Sequence, residues 1–266
     1  MLIEGVAVFD LVEAIEVLQE VRPGADGYDC VTLKTPHGGI FGAYQLFQIV
    51  IAAELEIPDK RVFSIQTVFA NGGSSGDPAQ ITIDTLQNGR SFAFLTITFK
   101  QGDVVISRHE VMLTVDEADF LHHRNAGAPP TQVSQWEELQ SGLWPQVAHR
   151  DPQSNIEQLS IHYQLPEQPS PTITRAMLAL ASEPAVMASL STYSDIPASS
   201  PGRVPGNVLA QTITLLESAD LVSGVVLRTT TQYAGQGRVH GNGTMVDVHG
   251  NLLATYSTTG VLRQPR

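Results

Sequence analysis

The sequence has little of several things that would assign a function directly. Cys30 is the only cysteine in 266 residues, which excludes an intrachain disulfide and a metal site built on cysteines. Lysine and arginine total 15 against 27 aspartates and glutamates, so the net charge is −12. Because nucleic acids bind to basic surfaces, they are not expected as partners. Neither a metal nor a redox cofactor is predicted.

Long hydrophobic runs are also missing. No stretch reaches the roughly 18 apolar residues that a membrane helix needs. The segment from Met1 to Asp10 carries acidic residues where a signal peptide has a basic flank. We therefore expect a cytoplasmic protein that does not bind membranes.

What is present is a duplicated pattern. Residues 88–107 and 236–255 align without a gap at a constant offset of 148, for example from Arg90 to Arg238. Upstream, 66–68 and 211–213 also match, at an offset of 145. This period is far longer than the 20 to 50 residues of solenoids, and it indicates a fused pseudo-dimer. We predict one module at 1–115, a linker at 116–154 and a second module at 155–266.

Each module reads as a helix combined with an antiparallel meander. Residues 42–56 are apolar nearly all round, which predicts a buried helix. β-branched and aromatic runs broken by turn signals such as Asn88-Gly89 predict hairpin-connected strands. The predicted fold class is α+β, with each helix wrapped by a curved antiparallel sheet. The predicted strands are 62–69, 79–86, 91–100, 104–115 and 156–163, followed by a helix at 174–193 and a second meander at 208–262.

This organisation resembles the double hotdog fold of type II acyl-CoA thioesterases. The segment Pro36-His-Gly-Gly-Ile-Phe-Gly-Ala-Tyr44 is similar to the start of the family's first helix, and Asn88-Gly-Arg-Ser-Phe92 is similar to its hairpin. Residues 250–263 are similar to its last strand. The resemblance implies acyl-CoA or another small acyl substrate. Exposed sheet edges in such modules favour a homo-oligomer.

The resemblance also implies a site that activates water. In the family, this site has an acid in the second module's helix, a threonine on the following strand and a glutamine on the last strand. Glu183 is the counterpart of the acid, and its apolar neighbours predict a raised pKa. Thr212 corresponds to the threonine, with Thr214 left open, and Thr258 stands at the glutamine position. The structural alternative for Glu183 is a place in the first helical turn after an N-cap at Ser182.

A second resemblance concerns the start of the first helix. His37-Gly38-Gly39 is similar to single-module hotdog thioesterases of the His-Gly-Gly type, in which a backbone N–H faces the thioester oxygen. Their carboxylate, nine residues after the histidine, is replaced here by Leu46, with Gln45 beside it. We expect His37, Gly38, Gly39 and Gln45 to bind the substrate or polarise its carbonyl. The alternative is that the glycines only allow close packing.

Thioester hydrolysis by activated water is the leading prediction. Because the acid and glutamine positions differ from the family pattern, a non-hydrolytic dehydratase, isomerase or cyclase in a biosynthetic pathway is the alternative. A third possibility is a module that binds an acyl chain or a partner without catalysis. One fold hosts many chemistries, so the sequence leaves the three open.

Overall fold

The computed structural model describes residues 11–35, 38–118, 120–121, 123, 129–130, 133–138, 148–155, 158–190 and 206–263. The helices are α1 (Leu11–Leu18), α2 (Gly42–Glu56), α3 (Pro171–Ser182) and α4 (Ala185–Ser189), with a 3-10 turn at Val133–Gln135. The strands of the first half are β1 (Val21–Gly24), β2 (Gly27–Val31), β3 (Arg61–Phe69), β4 (Pro78–Asn88), β5 (Phe92–Gln101) and β6 (Val104–Thr114). Those of the second half are β7 (Glu137–Glu138), β8 (Ala148–Arg150), β9 (Leu159–Tyr163), β10 (Gly206–Leu215), β11 (Val225–Gly235), β12 (Arg238–Asp247) and β13 (Leu252–Leu262).

One antiparallel sheet runs through both modules. Its 13 strands have the order β1-β2-β4-β5-β6-β3-β10-β13-β12-β11-β9-β8-β7. The halves join where β3 lies beside β10, with Thr67 opposite Gln211 and Ile65 opposite Ile213. The two modules therefore share a seam of backbone hydrogen bonds, as expected for a fused pseudo-dimer.

The helix α2 lies in the core of the first module. Every residue from Ala43 to Glu54 is buried. A helix enclosed on all sides has no solvent face and therefore no polar stripe, which is why its sequence is apolar nearly all round. The helix predicted at 42–56 is confirmed.

The helix α3 packs against α2 in the opposite direction. Glu54 near the end of α2 meets Arg175 near the start of α3. Glu183 after the end of α3 accepts a hydrogen bond from the N–H of Ala43 at the start of α2. The helix predicted at 174–193 is instead two helices, because Pro184 has no N–H to continue the first one. Residues 191–193 lie outside the described residues.

The segment predicted as a linker contributes two short strands, β7 and β8. Ala148 of β8 pairs with Tyr163 of β9, so this segment extends the sheet of the second module. The module boundaries themselves stay a prediction. None of the helices in the described part of the chain has the length and apolar character needed to cross a membrane.

Candidate active site

Glu183 is a buried carboxyl group at the end of α3. It is 7% exposed and lies between Ser182, the last residue of α3, and Pro184. Burial raises its pKa from 4.5 to about 7, and the hydrogen bond from the Ala43 N–H opposes part of that rise. Both protonation states are therefore populated at neutral pH, so the group can accept or donate a proton. Ser182 does not cap a helix start, because its hydroxyl donates to the carbonyl of Ala179 within α3.

The first turn of α2 approaches Glu183 closely. A Cβ atom at Gly42 would lie 2.6 Å from Oε1 of Glu183 and 2.7 Å from the ring of Phe69, so only glycine fits there without movement. The N–H groups of a helix's first turn have no acceptor within the helix, and they form its positive end. The acid of one module thus lies at the helix N-terminus of the other.

A second carboxyl group lies at the opposite end of the helix pair. Glu54 accepts hydrogen bonds from Nε and Nη2 of Arg175, each at 2.6 Å. It also accepts from Oγ1 of Thr172 at 2.6 Å and from the backbone N–H of Val62 at 2.9 Å. These donors occupy both carboxylate oxygens, which makes Glu54 part of a structural ion pair between the modules.

The two carboxyl groups are equivalent in position. Glu54 lies twelve residues after the start of α2 at residue 42, and Glu183 lies twelve residues after the start of α3 at residue 171. Each meets the second residue of the opposite helix. On this alignment the residue of α2 equivalent to Arg175 is Leu46, which has no charge. Among the described residues Glu183 has no cationic partner, and burial raises its pKa.

A row of buried polar side chains crosses four adjacent strands near Glu183. His109 lies opposite Thr67, Thr67 opposite Gln211, and Gln211 opposite Thr258. None is more than 3% exposed. Nε2 of Gln211 donates to the hydroxyl of Ser182, which connects the row to the residue that precedes the acid.

Two atoms of this row have unused hydrogen-bonding capacity. Oε1 of Gln211 and Oγ1 of Thr258 are buried, and neither has a hydrogen-bond partner among the described residues. Buried polar atoms nearly always have a partner, so an adjacent pair without one marks a place where water or a polar ligand atom binds. This pair was not found from the sequence, because Gln211 was not among the predicted site residues.

Thr212 is not part of the row. Successive side chains of a strand point to opposite faces of the sheet, and Gln211 is buried whereas Thr212 is exposed. Thr214 lies on the same outer face as Thr212. Thr212 lines, with Gln66, a groove of about 580 Å³ on that face. The predicted site residue Thr212 therefore lies on the outer face, and Gln211 is the polar residue that β10 presents to the interior.

The predicted backbone donor at Gly38 is engaged elsewhere. The N–H of Gly38 donates to the carbonyl of Thr35 at 3.0 Å, and Gly38 has a φ of 75° that suits glycine. Gly39 forms a β-bridge with Ser74. The backbone donor that reaches the acid is Ala43 instead. His37 lies outside the described residues.

Gln45 belongs to a buried network. It is 3% exposed, and its Oε1 accepts a hydrogen bond from the hydroxyl of Ser107 at 2.5 Å. The Ser107 hydroxyl also lies 2.8 Å from Nε2 of His109. Gln45 therefore contacts the sheet of its own module through its amide oxygen.

The described residues support neither another nucleophile nor a metal site. Cys30 is buried, and burial raises the pKa of its thiol to about 12. A Gly-x-Ser-x-Gly sequence occurs at 72–76, but it lies in the connection between β3 and β4 and not between a strand and a helix, as a nucleophilic serine requires. No group of three or more metal-ligating side chains occurs in the described part of the chain.

Comparisons with known proteins show what this chain is similar to. Residues 31–115 match the family described as the acyl-CoA thioesterase N-terminal domain. A search of curated proteins gave no match. The chain is similar to the tesB protein of Mycobacterium avium subsp. paratuberculosis, with a TM-score of 0.76 and 18% identity over 96% of this chain and 100% of that one. It is also similar to the acyl-CoA thioesterase II TesB2 of Mycobacterium marinum, with a TM-score of 0.73 and 17% identity over 94% and 98% of the two chains.

A further solved structure has a different activity in its name. The dehydratase domain of RzxB from Pseudomonas fluorescens is similar with a TM-score of 0.55 and 12% identity, over 92% of this chain and 97% of that one. At such identities the likeness establishes the fold, and the predicted double hotdog is confirmed. The chain therefore resembles type II acyl-CoA thioesterases in its double hotdog fold over nearly its full length, and residues 31–115 match the thioesterase domain family.

Proposed function

We propose that this chain hydrolyses acyl thioesters, with Glu183 as the general base that activates water. The observation that carries the proposal is the state of Glu183: it is buried, has no cationic partner among the described residues and has a pKa raised to about 7. A general base works best when its pKa lies near the working pH. Glu54, the equivalent group, has its oxygens occupied by Arg175 and Thr172 and receives no role in the chemistry.

The attacking water would bind between Glu183 and the two acceptors of the polar row. It would donate one hydrogen to the Glu183 carboxylate and the other to Oε1 of Gln211 or Oγ1 of Thr258, which are without partners. A lone pair would then point at the thioester carbonyl. The related enzymes combine an acid with a threonine on the next strand and a glutamine on the last one. Here β10 supplies the glutamine and β13 the threonine, so the same two groups accompany the acid with their strands exchanged.

The helix N-terminus would polarise the thioester. When water adds to the carbonyl carbon, its proton passes to Glu183 and negative charge develops on the carbonyl oxygen. Because the Ala43 N–H donates to Glu183, the N–H of Gly42 at the positive end of α2 would stabilise this oxygen. The tetrahedral intermediate then expels the thiolate, which takes the proton back from Glu183.

An apolar pocket beside α3 would hold the acyl group of the substrate. This pocket is lined by Leu178 and Ala181 of the helix and by Leu227 and Met245 of the sheet. Its free volume is about 20 Å³, roughly that of one water molecule. Longer acyl chains would have to displace side chains, so we expect short acyl groups to be preferred. Acyl-CoA as the carrier, a cytoplasmic location and a role in lipid metabolism remain predictions.

The test is thiol release from a panel of short, medium, long and aromatic acyl-CoAs. We expect release by the parent chain and a loss of about 100-fold or more in Glu183→Gln, because glutamine has a similar shape but cannot accept the proton. Equal rates in the parent and in Glu183→Gln would remove Glu183 from the mechanism. If the folded parent releases thiol from no member of the panel, the proposal of hydrolysis is rejected.

A non-hydrolytic reaction is the second candidate. With a pKa near 7, Glu183 is also able to act as a proton donor, and the free acceptors of Gln211 and Thr258 would suit a substrate hydroxyl as well as water. Incubation with 3-hydroxyacyl thioesters and mass analysis separates the two reactions. A loss of water with the thioester intact indicates dehydration. An activity that rises with pH through 7 indicates a base, and one that falls indicates an acid.

A further inference from the structure

A chain of hydrogen bonds runs from the seam of the sheet to the start of α2. Thr67 Oγ1 contacts Nδ1 of His109 at 2.9 Å, Nε2 of His109 contacts the hydroxyl of Ser107 at 2.8 Å, and that hydroxyl donates to Oε1 of Gln45 at 2.5 Å. Three of the four residues come from strands, and Gln45 comes from the first turn of α2. All four are buried.

The direction of the chain follows from the number of protons. The single hydroxyl proton of Ser107 is donated to Gln45, so Nε2 of His109 must carry a proton and donate it to Ser107. Its Nδ1 then accepts from the hydroxyl of Thr67. Burial lowers the pKa of His109 to about 3, which keeps the ring neutral. Each donor is used once, and the histidine has a single tautomer.

The two ends of this chain meet the candidate active site. Gln45 lies two residues after Ala43, whose N–H binds Glu183. Thr67 lies directly opposite Gln211 across the seam. A core histidine has to have its hydrogen bonds satisfied, and a satisfied buried network makes its surroundings rigid. An aliphatic side chain would fill the same space without fixing the helix start.

We propose that His109 is a positioning residue: through Ser107 and Gln45 it holds the first turn of α2 so that the Ala43 N–H meets Glu183. The inference rests on the proposed function of Glu183. It assigns His109 no contact with substrate and no proton transfer. It predicts that loss of the network lowers kcat and leaves substrate binding nearly unchanged.

The test compares Ser107→Thr with Ser107→Val. Threonine and valine have the same shape, so both add the same bulk at a buried position, and only threonine keeps the hydroxyl. We expect Ser107→Val to lower kcat about tenfold or more relative to Ser107→Thr, with KM within about twofold. His109→Met should give the same loss, and the double variant Ser107→Val/His109→Met should lose no more, because both changes break one path.

A second readout does not depend on turnover. In protein labelled with ¹³C-glutamate, the carboxyl signal missing from Glu183→Gln identifies Glu183, and its titration gives the pKa. Loss of the Ala43 hydrogen bond removes an interaction that favours the charged form, so Ser107→Val should raise this pKa above that of Ser107→Thr.

Equal kcat and equal Glu183 titration in the threonine and valine variants would overturn the inference, whatever their melting temperatures. If the parent hydrolyses no thioester, the proposed function fails. The titration still decides whether the network positions Ala43 against Glu183.

Discussion

Glu54 and Glu183 occupy equivalent places at opposite ends of one antiparallel helix pair, and in the described part of the chain only Glu54 is bound by a cation. The Arg175 guanidinium covers Glu54 with two hydrogen bonds of 2.6 Å, whereas Glu183 receives one backbone N–H from Ala43. A duplicated fold begins with two identical sites. Here one end holds the modules together, and the other keeps a carboxyl group that exchanges a proton near neutral pH.

The different surroundings of Glu54 and Glu183 predict opposite effects when each glutamate is replaced by glutamine. Glu54→Gln leaves Arg175, whose side chain is 16% exposed, without a counter-charge, and breaking a buried pair costs on the order of 3 kcal/mol. We expect Glu54→Gln to lower the free energy of unfolding by about that amount while kcat of the remaining folded protein stays within about threefold. Denaturant unfolding and thiol release measure the two quantities. A loss of kcat as large as that of Glu183→Gln would mean that both ends take part in the chemistry.

The raised pKa of Glu183 predicts how stability depends on pH. The folded pKa of about 7 lies above the ordinary value of 4.5, so the folded state binds more protons between these values. Stability contributed by this group is complete below about pH 4.5, falls as the pH rises towards 7 and stays low above it. The full difference corresponds to about 3 kcal/mol.

Glu183→Gln should remove that slope. Its free energy of unfolding should exceed the parent's at pH 8 and approach the parent's at pH 5. The measurement is denaturant unfolding of both proteins from pH 5 to pH 8. Parallel curves for the two proteins would show that Glu183 titrates normally, and the general-base proposal would lose its main support.

The prediction of the fold from the sequence succeeded where one signal dominated. The all-round apolar character of 42–56 gave α2 at its observed bounds, and Asn88-Gly89 gave the hairpin in which the Gly89 N–H binds the carbonyl of Phe92. The end of α3 was predicted too late. Helical periodicity continues across Pro184, but proline's missing N–H stops the first helix at Ser182.

The site was predicted less completely, because its residues meet only through the sheet. Glu183 and Thr258 were named from the family resemblance, and both are buried. Gln211 was missed because the family's threonine was assigned to Thr212, the next residue, although Gln211 is buried and Thr212 is exposed. The alternation of side chains along a strand would have identified Gln211. Ile213 is a core residue, so the residue two positions before it lies on the same face of the sheet. The position of Ala43 against Glu183 depends on helix packing and left no sequence signal.

The glycine at the start of α2 should be indispensable. Gly42→Ala would place a Cβ atom 2.6 Å from Oε1 of Glu183 and 2.7 Å from the ring of Phe69, so the carboxyl group or the helix must move. We expect kcat/KM to fall about 100-fold, as for an ångström-scale displacement of a catalytic group. Gly72→Ala is the control, because a Cβ there meets nothing within 4 Å. Similar activity in the two variants would show that Glu183 needs no close contact with α2.

Thr258 and Thr212 provide the sharpest comparison between the inner and outer faces of the sheet. Thr258→Val removes a buried hydroxyl that has no partner among the described residues and that the attacking water would contact. We expect kcat/KM to fall about tenfold or more, because the water loses a hydrogen-bond partner, while the free energy of unfolding stays within about 1 kcal/mol of the parent's. Thr212→Val, at an exposed outer position, should change stability by less than about 0.5 kcal/mol and leave turnover unchanged. Denaturant unfolding and thiol release measure these effects in the two variants.

A reversed outcome, with turnover lost in Thr212→Val and kept in Thr258→Val, would indicate that the reaction takes place in the outer groove. Since the residues that line that groove include Glu110 but not Glu183, the proposed role of Glu183 would then fail.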